Sequence, residues 1–402
     1  MPLPLVEEGH RVSLTFDGHY FISDPLTQGK TLKLSRTENP LIDNLIGLPY
    51  GSHVLVSNKQ FQAVDPPGLP PWPLILGEGD QKTNQNINDD QTAQSLQQDD
   101  IAAIKNGENK DSLVSVLCEN SKTFQERTVF AQQKYIARKK RKHNKSYYLQ
   151  EVTPRVVCFT FLKKSPDRIC FLTPDALSYV IQLAGTGPAP SPALVFDSTD
   201  GLLYSAVYRR SPGRPIHVVH TSFSCRHHLA TLSGCPEPTN SHSIESASTL
   251  PSLRCRSLVM VATSQELPLT LAVWHHLVSG APFAIWNISV DPLLKLRILF
   301  KTHNIALMLC IRELSVTPMN VAPGISRPVM NYAPGNGSGD GFVLCGWKCA
   351  EIPNDILTKI SNVMKEVDDE VKTEEVEVKQ DDSTEVKIGE PSPKRSRDDD
   401  DE

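Results

Sequence analysis

Apolar and polar side chains alternate through residues 10–62, which is the pattern of β-strands with one buried face. The apolar positions of this pattern are Val12, Leu14, Phe16, Leu32, Leu34, Val54 and Val56. Asp17 and Gly18 form a dipeptide that favours a tight hairpin turn between two such strands. We therefore predict that residues 1–64 form a small antiparallel β-barrel as the N-terminal domain.

Two segments of different character follow this alternating region. Residues 65–94 are rich in proline and then in polar side chains, so they cannot pair regularly or build a core, and we predict a disordered linker. Residues 95–150 carry helical signals, and a helix that begins at the capping box of Thr123 and Glu126 is predicted to run into a basic stretch. An earlier helix of this segment is predicted to bury Leu113, Val114 and Leu117.

From residue 151 onward, apolar runs typical of buried strands alternate with helical segments. Strands are predicted at 155–162, 192–198, 215–220, 257–264, 282–288, 305–311 and 341–347. Helices are predicted at 174–185, 201–210, 267–280 and 291–302. Because the strands are apolar throughout and helices separate them, residues 151–350 are predicted to form a doubly wound, parallel α/β sheet of the Rossmann-like kind. The polar residues 221–252 are predicted to be an inserted loop.

Charge is divided unevenly along the chain. The 402 residues carry a formal net charge of -5, but residues 365–402 alone hold sixteen Asp or Glu against seven Lys or Arg, so the rest of the chain is basic. The end of the chain, residues 351–402, is too charged to bury a core and is predicted to be a disordered acidic tail. Seven basic side chains lie between Lys134 and Lys145 without an acidic one, which favours a polyanionic partner.

The cysteines indicate the compartment of the protein. Nine cysteines, an odd number, are scattered through mostly apolar runs, which predicts reduced thiols in an intracellular protein. No apolar run reaches the roughly 20 residues that a membrane helix needs, and the acidic N-terminus lacks the core of a signal peptide. We therefore predict a soluble protein without a membrane partner.

The first turn of the predicted α/β sheet is where an enzyme of this architecture binds its cofactor. In methyltransferases a carboxylate is followed there by Gly-x-Gly-x-Gly, and the next strand ends in an acidic residue that binds the ribose. Here Asp197 is followed by Ser198 and Asp200 where glycines are expected, and the only glycine left in the turn is Gly201. The next strand ends in His220. We therefore predict that the chain has no cofactor-binding residues.

Three other segments contain chemically active side chains, but their patterns do not match known sites. Glu266 follows a predicted strand, where a carboxylate could act as a general base, yet one acid without a cofactor pocket is weak evidence for catalysis. The glycine-rich residues 333–341 lack the lysine of a phosphate-binding loop and predict a tight turn. The third group, whose spacing matches no zinc site, comprises Cys225, His227, His228 and Cys235. We predict no catalytic residue and no metal ligand.

Several segments resemble a known family, among them NSKTFQERTVFAQQKYIARKKRKH with the stretch before it, ALVFDSTDGLLYSAVYRR, SLVMVATSQELPLTLAVWHHLVSGAPFAIW and the glycine-rich turn before GFVLCGW. The chain is similar to the Gcd10 family, the non-catalytic subunits of the eukaryotic tRNA (adenine-58-N1)-methyltransferase. The resemblance implies a barrel-like domain joined to a methyltransferase-like domain that does not carry the methyl donor. It also implies a catalytic partner subunit that holds S-adenosylmethionine, in a heterotetramer with two copies of each subunit, and a shared surface for tRNA.

The family's basic segment matches the run from Lys134 to Lys145, and a role in RNA contact is implied for those positions. On a helix, one face is shared by Lys134, Arg138, Arg141, Lys142 and Lys145. Cations on such a face displace counterions from RNA phosphates, which gives an affinity that depends on salt and little on base identity. With Arg312, which lies near a family arginine implicated in RNA contact, the predicted RNA-binding residues are Lys134, Arg138, Lys139, Lys140, Arg141, Lys142, Lys145 and Arg312.

A second basic cluster, at 391–397, is embedded in the acidic tail and fits a short nuclear localisation signal. We assign import into the nucleus to Lys394, Arg395 and Arg397. The favoured function is a tRNA-binding subunit that supports methylation of an adenine in the T-loop by its partner. Two alternatives stay open. One is an active S-adenosylmethionine-dependent RNA methyltransferase that uses Glu266 or Asp197, and the other is a general nucleic-acid-binding scaffold.

Overall fold

The computed structural model describes most of the chain between residues 4 and 358. The described residues are 4–16, 18–36, 38–66, 95–97, 100–101, 104, 113–127, 132, 135–136, 138–139, 145–221, 227–263, 267–316, 319–322, 325–328, 341–356 and 358. They contain two large β-sheets and a two-stranded ribbon. Residues 67–94 of the predicted linker and residues 359–402 of the predicted tail lie outside this part of the chain.

The first sheet is antiparallel and consists of β1 (Val12–Phe16), β2 (His19–Ile22), β3 (His53–Ser57), β4 (Gln60–Val64) and β5 (Ser146–Glu151). The strands lie in the order β2-β1-β5-β3-β4. Of the seven apolar positions in the predicted pattern, Phe16 and Val56 are partly buried and the other five are buried. Leu32 and Leu34 are buried but lie outside the strands, so the strand pattern predicted there is wrong. Val12, Leu14 and Val54 share one core with Phe61 and Leu149. The β-rich N-terminal unit is thus present, whereas its closure into a barrel stays a prediction.

The central strand of this sheet comes from a distant part of the sequence. β5 pairs with β1 on one side and with β3 on the other, although residues 65–145 separate it from β4. Its residues 146–150 belong to the segment 95–150, for which the sequence predicted helices, and the strand continues to Glu151 across the predicted boundary. The first sheet therefore needs residues from both sides of the predicted linker.

The second sheet is built by the later part of the chain. Its strands are β6 (Ala193–Asp197), β7 (Ile216–His220), β8 (Asn240–Ser243), β9 (Leu258–Val261), β10 (Pro282–Asn287), β11 (Ala306–Glu313) and, after the ribbon of β12 (Met319–Ala322) and β13 (Ile325–Pro328), β14 (Phe342–Lys348). They lie in the order β11-β14-β10-β9-β6-β7-β8. β10, β9, β6, β7 and β8 are parallel, and β14 is antiparallel to both of its neighbours. The predicted Rossmann-like α/β sheet is confirmed, with one antiparallel strand that the sequence pattern did not distinguish.

Helices cover both faces of the second sheet, which is why its strands are apolar throughout. The described α-helices are α1 (Leu113–Glu119), α2 (Pro154–Lys164), α3 (Pro174–Leu183), α4 (Leu202–Arg210), α5 (His228–Leu232), α6 (Ile244–Thr249) and α7 (Val290–Thr302). One core lies between the sheet and helices α2 to α5, and another lies between the sheet, α6, α7 and the 3-10 helix Leu267–His276. In α1 the predicted residues Leu113, Val114 and Leu117 are buried. None of the helices in the described ranges has the length and apolarity to cross a bilayer.

The strand predicted at 155–162 is wrong, because these residues form α2. The Thr153 side chain accepts a hydrogen bond from the Val156 amide, and Pro154 occupies the first helical position, so the run begins with a capping residue followed by proline. Valine and phenylalanine favour a strand locally, but here they bury one face of a helix. The residues buried on that face include Val157, Cys158 and Phe161.

The inserted loop predicted at 221–252 is also wrong, because this region contributes to the fold. It contains α5, β8 and α6, and β8 pairs in parallel with β7 at the edge of the second sheet. The sequence of β8, NSHS, has no apolar residue, so hydrophobic periodicity could not identify it. The helix predicted at 267–280 is a 3-10 helix that ends at His276.

The folded unit extends beyond residue 350, where the sequence predicted that it ends. Ile352 and Ile356 are only 6% and 9% exposed and pack into the core that also contains α7. The predicted tail at 351–402 therefore begins too early. Its apolar first residues belong to the core, and its charge is concentrated after them.

His276 connects three elements of this core through an imidazole that is fully buried. Its Nδ1 accepts a hydrogen bond from the Leu253 amide at 3.3 Å, and its Nε2 donates to the Ala247 carbonyl at 2.8 Å. Both bonds together require the neutral ring with its proton on Nε2. Burial, with a smaller effect of the adjacent His275, lowers the pKa of His276 to about 4.

We predict that acid weakens the fold through His276. Because its pKa is lower in the folded chain than the 6.5 of an exposed histidine, the unfolded chain binds the extra proton between about pH 6.5 and about pH 4, and stability falls as the pH is lowered through that window. The loss should reach about 3 kcal/mol. Urea unfolding of the wild type and of His276→Gln, whose amide does not titrate, measures it. The free energy of unfolding of the wild type should exceed that of the variant at pH 7, and this difference should shrink towards pH 4. A difference that does not change with pH would contradict the prediction.

Candidate functional site

The carboxyl end of β6 leads into the turn that the sequence analysis identified as the candidate site. Asp197, the last residue of β6, is buried and accepts hydrogen bonds on both carboxylate oxygens. Oδ1 accepts from the Thr199 amide at 2.7 Å and from the Thr199 hydroxyl at 2.6 Å. Oδ2 accepts from the Tyr204 amide at 2.9 Å, in the first turn of α4. The carboxylate therefore joins the strand, the turn and the helix, at a helix end where negative charge is favourable.

Asp200 lies where the enzyme pattern has a glycine, and it adopts a left-handed backbone conformation with φ of 53°. Its side chain is anchored on two sides. Oδ2 accepts from Nε of Arg168 at 2.8 Å and also from Nη2 of Arg168, and Oδ1 accepts from the His228 amide at 3.2 Å. A left-handed conformation costs about 1 to 2 kcal/mol for a residue with a Cβ, and these charge-assisted bonds offset that cost. Asp200 thus serves the packing of α5 against the turn.

Gly201 is the one glycine of this turn, and neighbouring backbone covers it. Its φ is 89°, and a Cβ at this position would lie 2.8 Å from Cα of His227 and 3.1 Å from Cβ of Ala230. In a cofactor-binding turn a glycine allows the ligand to come close to the backbone. Here the glycine allows the start of α5, rather than a ligand, to come close to the backbone of the turn.

Two histidines fill the end of β7 beside this turn. His220, the last residue of β7, lies edge to face with His227 at 6.0 Å between ring centres. Nε2 of His227 is 3.2 Å from the Ser241 hydroxyl in β8, and its ring is 6.3 Å from that of Tyr204. Burial lowers the pKa of His227 below that of an exposed histidine. The position of the ribose-binding acid of methyltransferases is therefore occupied by aromatic packing.

The other candidates for chemistry lie only partly within the described residues. In the part of the chain that the structure describes, His, Cys, Asp and Glu side chains form no group of three that could hold a metal ion. His228 contacts Arg168 at 3.2 Å, and the Cys235 thiol donates to the Ser205 carbonyl at 3.7 Å. Outside the described residues lie Cys225, Glu266 and residues 333–340, so the predictions about them stay predictions.

Three residues of the predicted RNA-binding run are described. Arg138 and Lys139 lie in helical backbone. Arg138 is exposed, whereas Lys139 is half-buried with its Nζ 5.2 Å from the centre of the Tyr135 ring. Lys145 is exposed in the residue before β5, and its ammonium lies 3.7 Å from the Glu38 carboxylate. The helical face predicted to include Lys145 is therefore wrong at that residue, because the chain has already turned towards the first sheet.

The start of the basic helix also differs from the prediction. The capping box at Thr123 and Glu126 lies in consecutive turns rather than at a helix N-terminus, and the Thr123 hydroxyl accepts a hydrogen bond from Arg127 at 3.1 Å. The remaining cations of the basic run and the predicted nuclear-import residues are outside the described part and stay predictions. They are Lys134, Lys140, Arg141, Lys142, Lys394, Arg395 and Arg397.

Arg312 lies on β11, an edge strand of the second sheet, with its side chain exposed. Its Nη1 donates to the Tyr179 hydroxyl of α3 at 2.5 Å, and its guanidinium is 6.0 Å from the centre of the tyrosine ring. The hydrogen bond to Tyr179 raises the pKa of Arg312 above its usual value. The side chain is therefore a permanent cation held in a defined orientation.

Sequence patterns did not identify the partners of Asp200 and Arg312. Arg168 neutralises Asp200, and Tyr179 orients Arg312, yet each pair joins elements that are far apart in sequence. The available signal was Asp200 itself, because an acidic residue in a buried turn requires a cation or several donors nearby. This signal does not identify which arginine of the chain neutralises Asp200.

The second sheet defines the class of the protein. Five parallel strands with helices on both faces and an antiparallel strand next to the edge form a methyltransferase-like α/β fold. An S-adenosylmethionine-dependent O-methyltransferase from Thermotoga maritima superposes with a TM-score of 0.50 at 11% identity, over 87% of this chain and 96% of that chain. At this identity the likeness concerns the fold alone.

The chain belongs to the Gcd10p family, whose model matches residues 5–267. It is 32% identical over 173 residues to the tRNA (adenine(58)-N(1))-methyltransferase non-catalytic subunit TRM6 of Mus musculus, which is 43% of this chain and 34% of that protein. It is 27% identical over 216 residues to the non-catalytic subunit trm6 of Dictyostelium discoideum, which is 52% of this chain and 41% of that protein. The chain therefore spans less than half the length of these relatives. The family resemblance drawn from the sequence is confirmed.

We predict that a methyl group at residue 201 disrupts the contact between the turn and α5. Gly213→Ala is the matched control, because Gly213 also has a positive φ of 78° but nothing within 4 Å of the added Cβ. The control should lose about 1 to 2 kcal/mol of stability, and Gly201→Ala should lose about 1 to 3 kcal/mol more because the His227 backbone must move. Denaturant unfolding of both variants checks the difference, and equal losses would contradict the contact.

Proposed function

We propose that this chain is a non-catalytic, tRNA-binding subunit of a tRNA (adenine-58-N1)-methyltransferase. In this proposal a partner subunit holds S-adenosylmethionine and methylates N1 of an adenine in the T-loop. The observation that carries the proposal is the turn after β6, whose glycine is covered by the protein's own backbone. The names of the Mus musculus and Dictyostelium discoideum relatives, which describe non-catalytic subunits, support the same function.

The residues at this turn argue against S-adenosylmethionine as a ligand of this chain. A bound adenosyl group would need the space over Gly201 that His227 and Ala230 occupy. It would also need an acceptor for the ribose hydroxyls at the end of β7, where His220 packs against His227. The carboxylate of Asp200 is already committed to Arg168 and to the His228 amide.

The geometry of Asp197 argues against its use as a catalytic base. A base has to reach the proton that it removes, which requires a free oxygen lone pair directed at the substrate. The Asp197 carboxylate is 1% exposed and accepts hydrogen bonds from Thr199 and from the Tyr204 amide. These bonds direct it into the fold and support a structural role.

The contact with RNA is proposed to be electrostatic. Arg138 presents an exposed guanidinium on helical backbone, and Lys139 follows it beside Tyr135. Arg312 adds a cation fixed by Tyr179 on the second sheet. If about four or five phosphates are neutralised, the logarithm of the binding constant should fall with that of the salt concentration with a slope of roughly -3 to -4.5.

The remaining parts of the proposal concern assembly and location. The catalytic partner is proposed to join this chain in a heterotetramer with two copies of each subunit, and the antiparallel N-terminal unit is proposed to close as a barrel. Lys394, Arg395 and Arg397 are proposed to direct the complex to the nucleus. A rigid grip on tRNA by both kinds of subunit favours extrusion of the target adenine, which costs a few kcal/mol of stacking and pairing.

We predict that the purified chain alone neither binds S-adenosylmethionine nor methylates tRNA, whereas the complex with the catalytic subunit does both. Isothermal titration calorimetry with the methyl donor and a methylation assay with each subunit, alone and together, test this. The Ser198→Gly variant is a useful control, because it adds a glycine to the turn but keeps the contacts of Asp200 with Arg168 and the His228 amide, so α5 still covers Gly201 and cofactor binding should not appear. Stoichiometric binding of the donor by the wild-type chain alone would overturn the proposal.

We also predict that Arg138→Glu, Lys139→Glu and Arg141→Glu together weaken tRNA binding and make the salt slope shallower by about 2 to 3, because three phosphate contacts are lost. The matched control reverses three exposed cations that lie before β9 or on α7 of the second sheet's unit: Arg256, Lys295 and Lys301. This control variant makes the same change in net charge, but its salt slope for tRNA binding should equal that of the wild type. Filter binding of tRNA at several salt concentrations, with co-purification of the partner, gives both readouts. An unchanged affinity of the first variant would remove the basic run from the mechanism.

A further inference from the structure

Two cysteines face each other across neighbouring strands of the second sheet. Cys310 of β11 lies directly opposite Cys345 of β14 in the antiparallel register. Directly opposite residues place their side chains on the same face of a sheet, with Cα atoms about 4.5 to 5.5 Å apart. A disulfide spans Cα distances of about 4.4 to 6.8 Å. The backbone at this position therefore suits a covalent link, although both thiols are free.

The two thiols differ in their surroundings. Cys345 is 9% exposed within the core on the α3 side of the sheet, whereas Cys310 lies at the margin of that core and is partly exposed. The guanidinium of Arg312, two residues further along β11, donates to Tyr179 and interacts electrostatically with the Cys310 side chain, while the Cys310 thiol donates to the Ile311 carbonyl at 3.7 Å. An oxidant from solvent therefore reaches Cys310 first. Burial raises the pKa of Cys345, which keeps that thiol protonated and unreactive towards an oxidant on its own.

The part of β11 that precedes Cys310 can also shift its position. The register of β11 against β14 shifts between Leu307 and Cys310, and Met308 in this irregular stretch has a φ of 53°. A bulge of this kind disrupts the ladder of hydrogen bonds locally. The sulfur atoms can then come together by a movement of an exposed edge strand rather than of the core.

We propose that Cys310 and Cys345 form a reversible cross-strand disulfide when the protein meets a hydroperoxide. The Cys310 sulfur attacks the O–O bond of the peroxide, which gives Cys310 sulfenic acid and releases water or an alcohol. The Cys345 thiol then attacks the sulfenic sulfur, its proton leaves with the hydroxyl group as water, and the S–S bond forms. Two thiols thus lose two electrons and two protons to one peroxide, and a dithiol reductant reverses the change.

The link would change the surroundings of a predicted RNA contact. In the reduced protein the guanidinium of Arg312 donates to the Tyr179 hydroxyl and interacts electrostatically with the Cys310 side chain. Formation of the disulfide turns the Cys310 sulfur towards β14 and removes that interaction. The oxidised protein therefore holds Arg312 by Tyr179 alone, and the edge strand is tied to its neighbour.

The test is treatment of the full chain with hydrogen peroxide under native conditions, followed by alkylation of free thiols and mass spectrometry. The expected result is a linked peptide pair that contains Cys310 and Cys345 and that dithiothreitol removes. In Cys345→Ser, Cys310 should stop at sulfenic acid, which dimedone traps. In Cys310→Ser, Cys345 should stay reduced. Arg312→Gln should slow the linkage several-fold, because the cation beside the sulfur is lost.

Cys349 provides the matched control, because it is an exposed cysteine on the same stretch of chain. Cys349→Ser should leave the linkage unchanged. The proposal is overturned if peroxide oxidises Cys349 while Cys310 and Cys345 both stay reduced, or if Cys310 links to another cysteine. It is equally overturned if the pair links only in urea, since the folded register would then play no part. The wild-type measurement decides these outcomes even if a variant fails to fold.

Discussion

A carboxylate that is withdrawn from water has to be matched by hydrogen-bond donors, and Asp197 imposes this constraint on the centre of the methyltransferase-like sheet. Its oxygens are satisfied by Thr199 and by the first turn of α4. The end of β6, the turn and the helix can therefore be formed only together. Asp200 and Gly201 follow inside this unit, and α5 packs on it, so the geometry of the whole candidate site depends on one buried acid.

The same turn shows how a ligand-binding geometry can become a packing contact. In a nucleotide site, small residues keep the approach to the backbone open. In this chain, the backbone at His227 occupies the space next to Gly201, and Arg168 neutralises the carboxylate of Asp200. The two changes support each other, because Asp200 also accepts a hydrogen bond from the first amide of the helix that covers Gly201. The result is a fold that keeps the architecture of an enzyme while the contacts at its centre stabilise the protein itself.

Sequence patterns predicted the fold well where burial is two-sided and less well elsewhere. β6 and β10 were predicted to within about a residue at each end because strands covered on both faces are apolar throughout. At 155–162 the cap at Thr153 outweighed the strand preference of the following residues, and β8 offered no apolar residue to detect. At the candidate site, position along the strand identified Asp197 and Asp200. The His227 backbone over Gly201 and the Arg168 cation beside Asp200 come from segments that are distant in sequence. Local spacing in the sequence therefore could not predict them.

β5 holds the first sheet together, yet it is the last of its strands to be synthesised. Until it arrives, β1 with β2 and β3 with β4 can form only separate hairpins, and isolated hairpins are marginally stable in water. Their open edges are templates for pairing with other chains. The polar and proline-containing stretch between β4 and β5 thus sets an interval during translation in which the nascent N-terminal half depends on chaperones or on its own solubility.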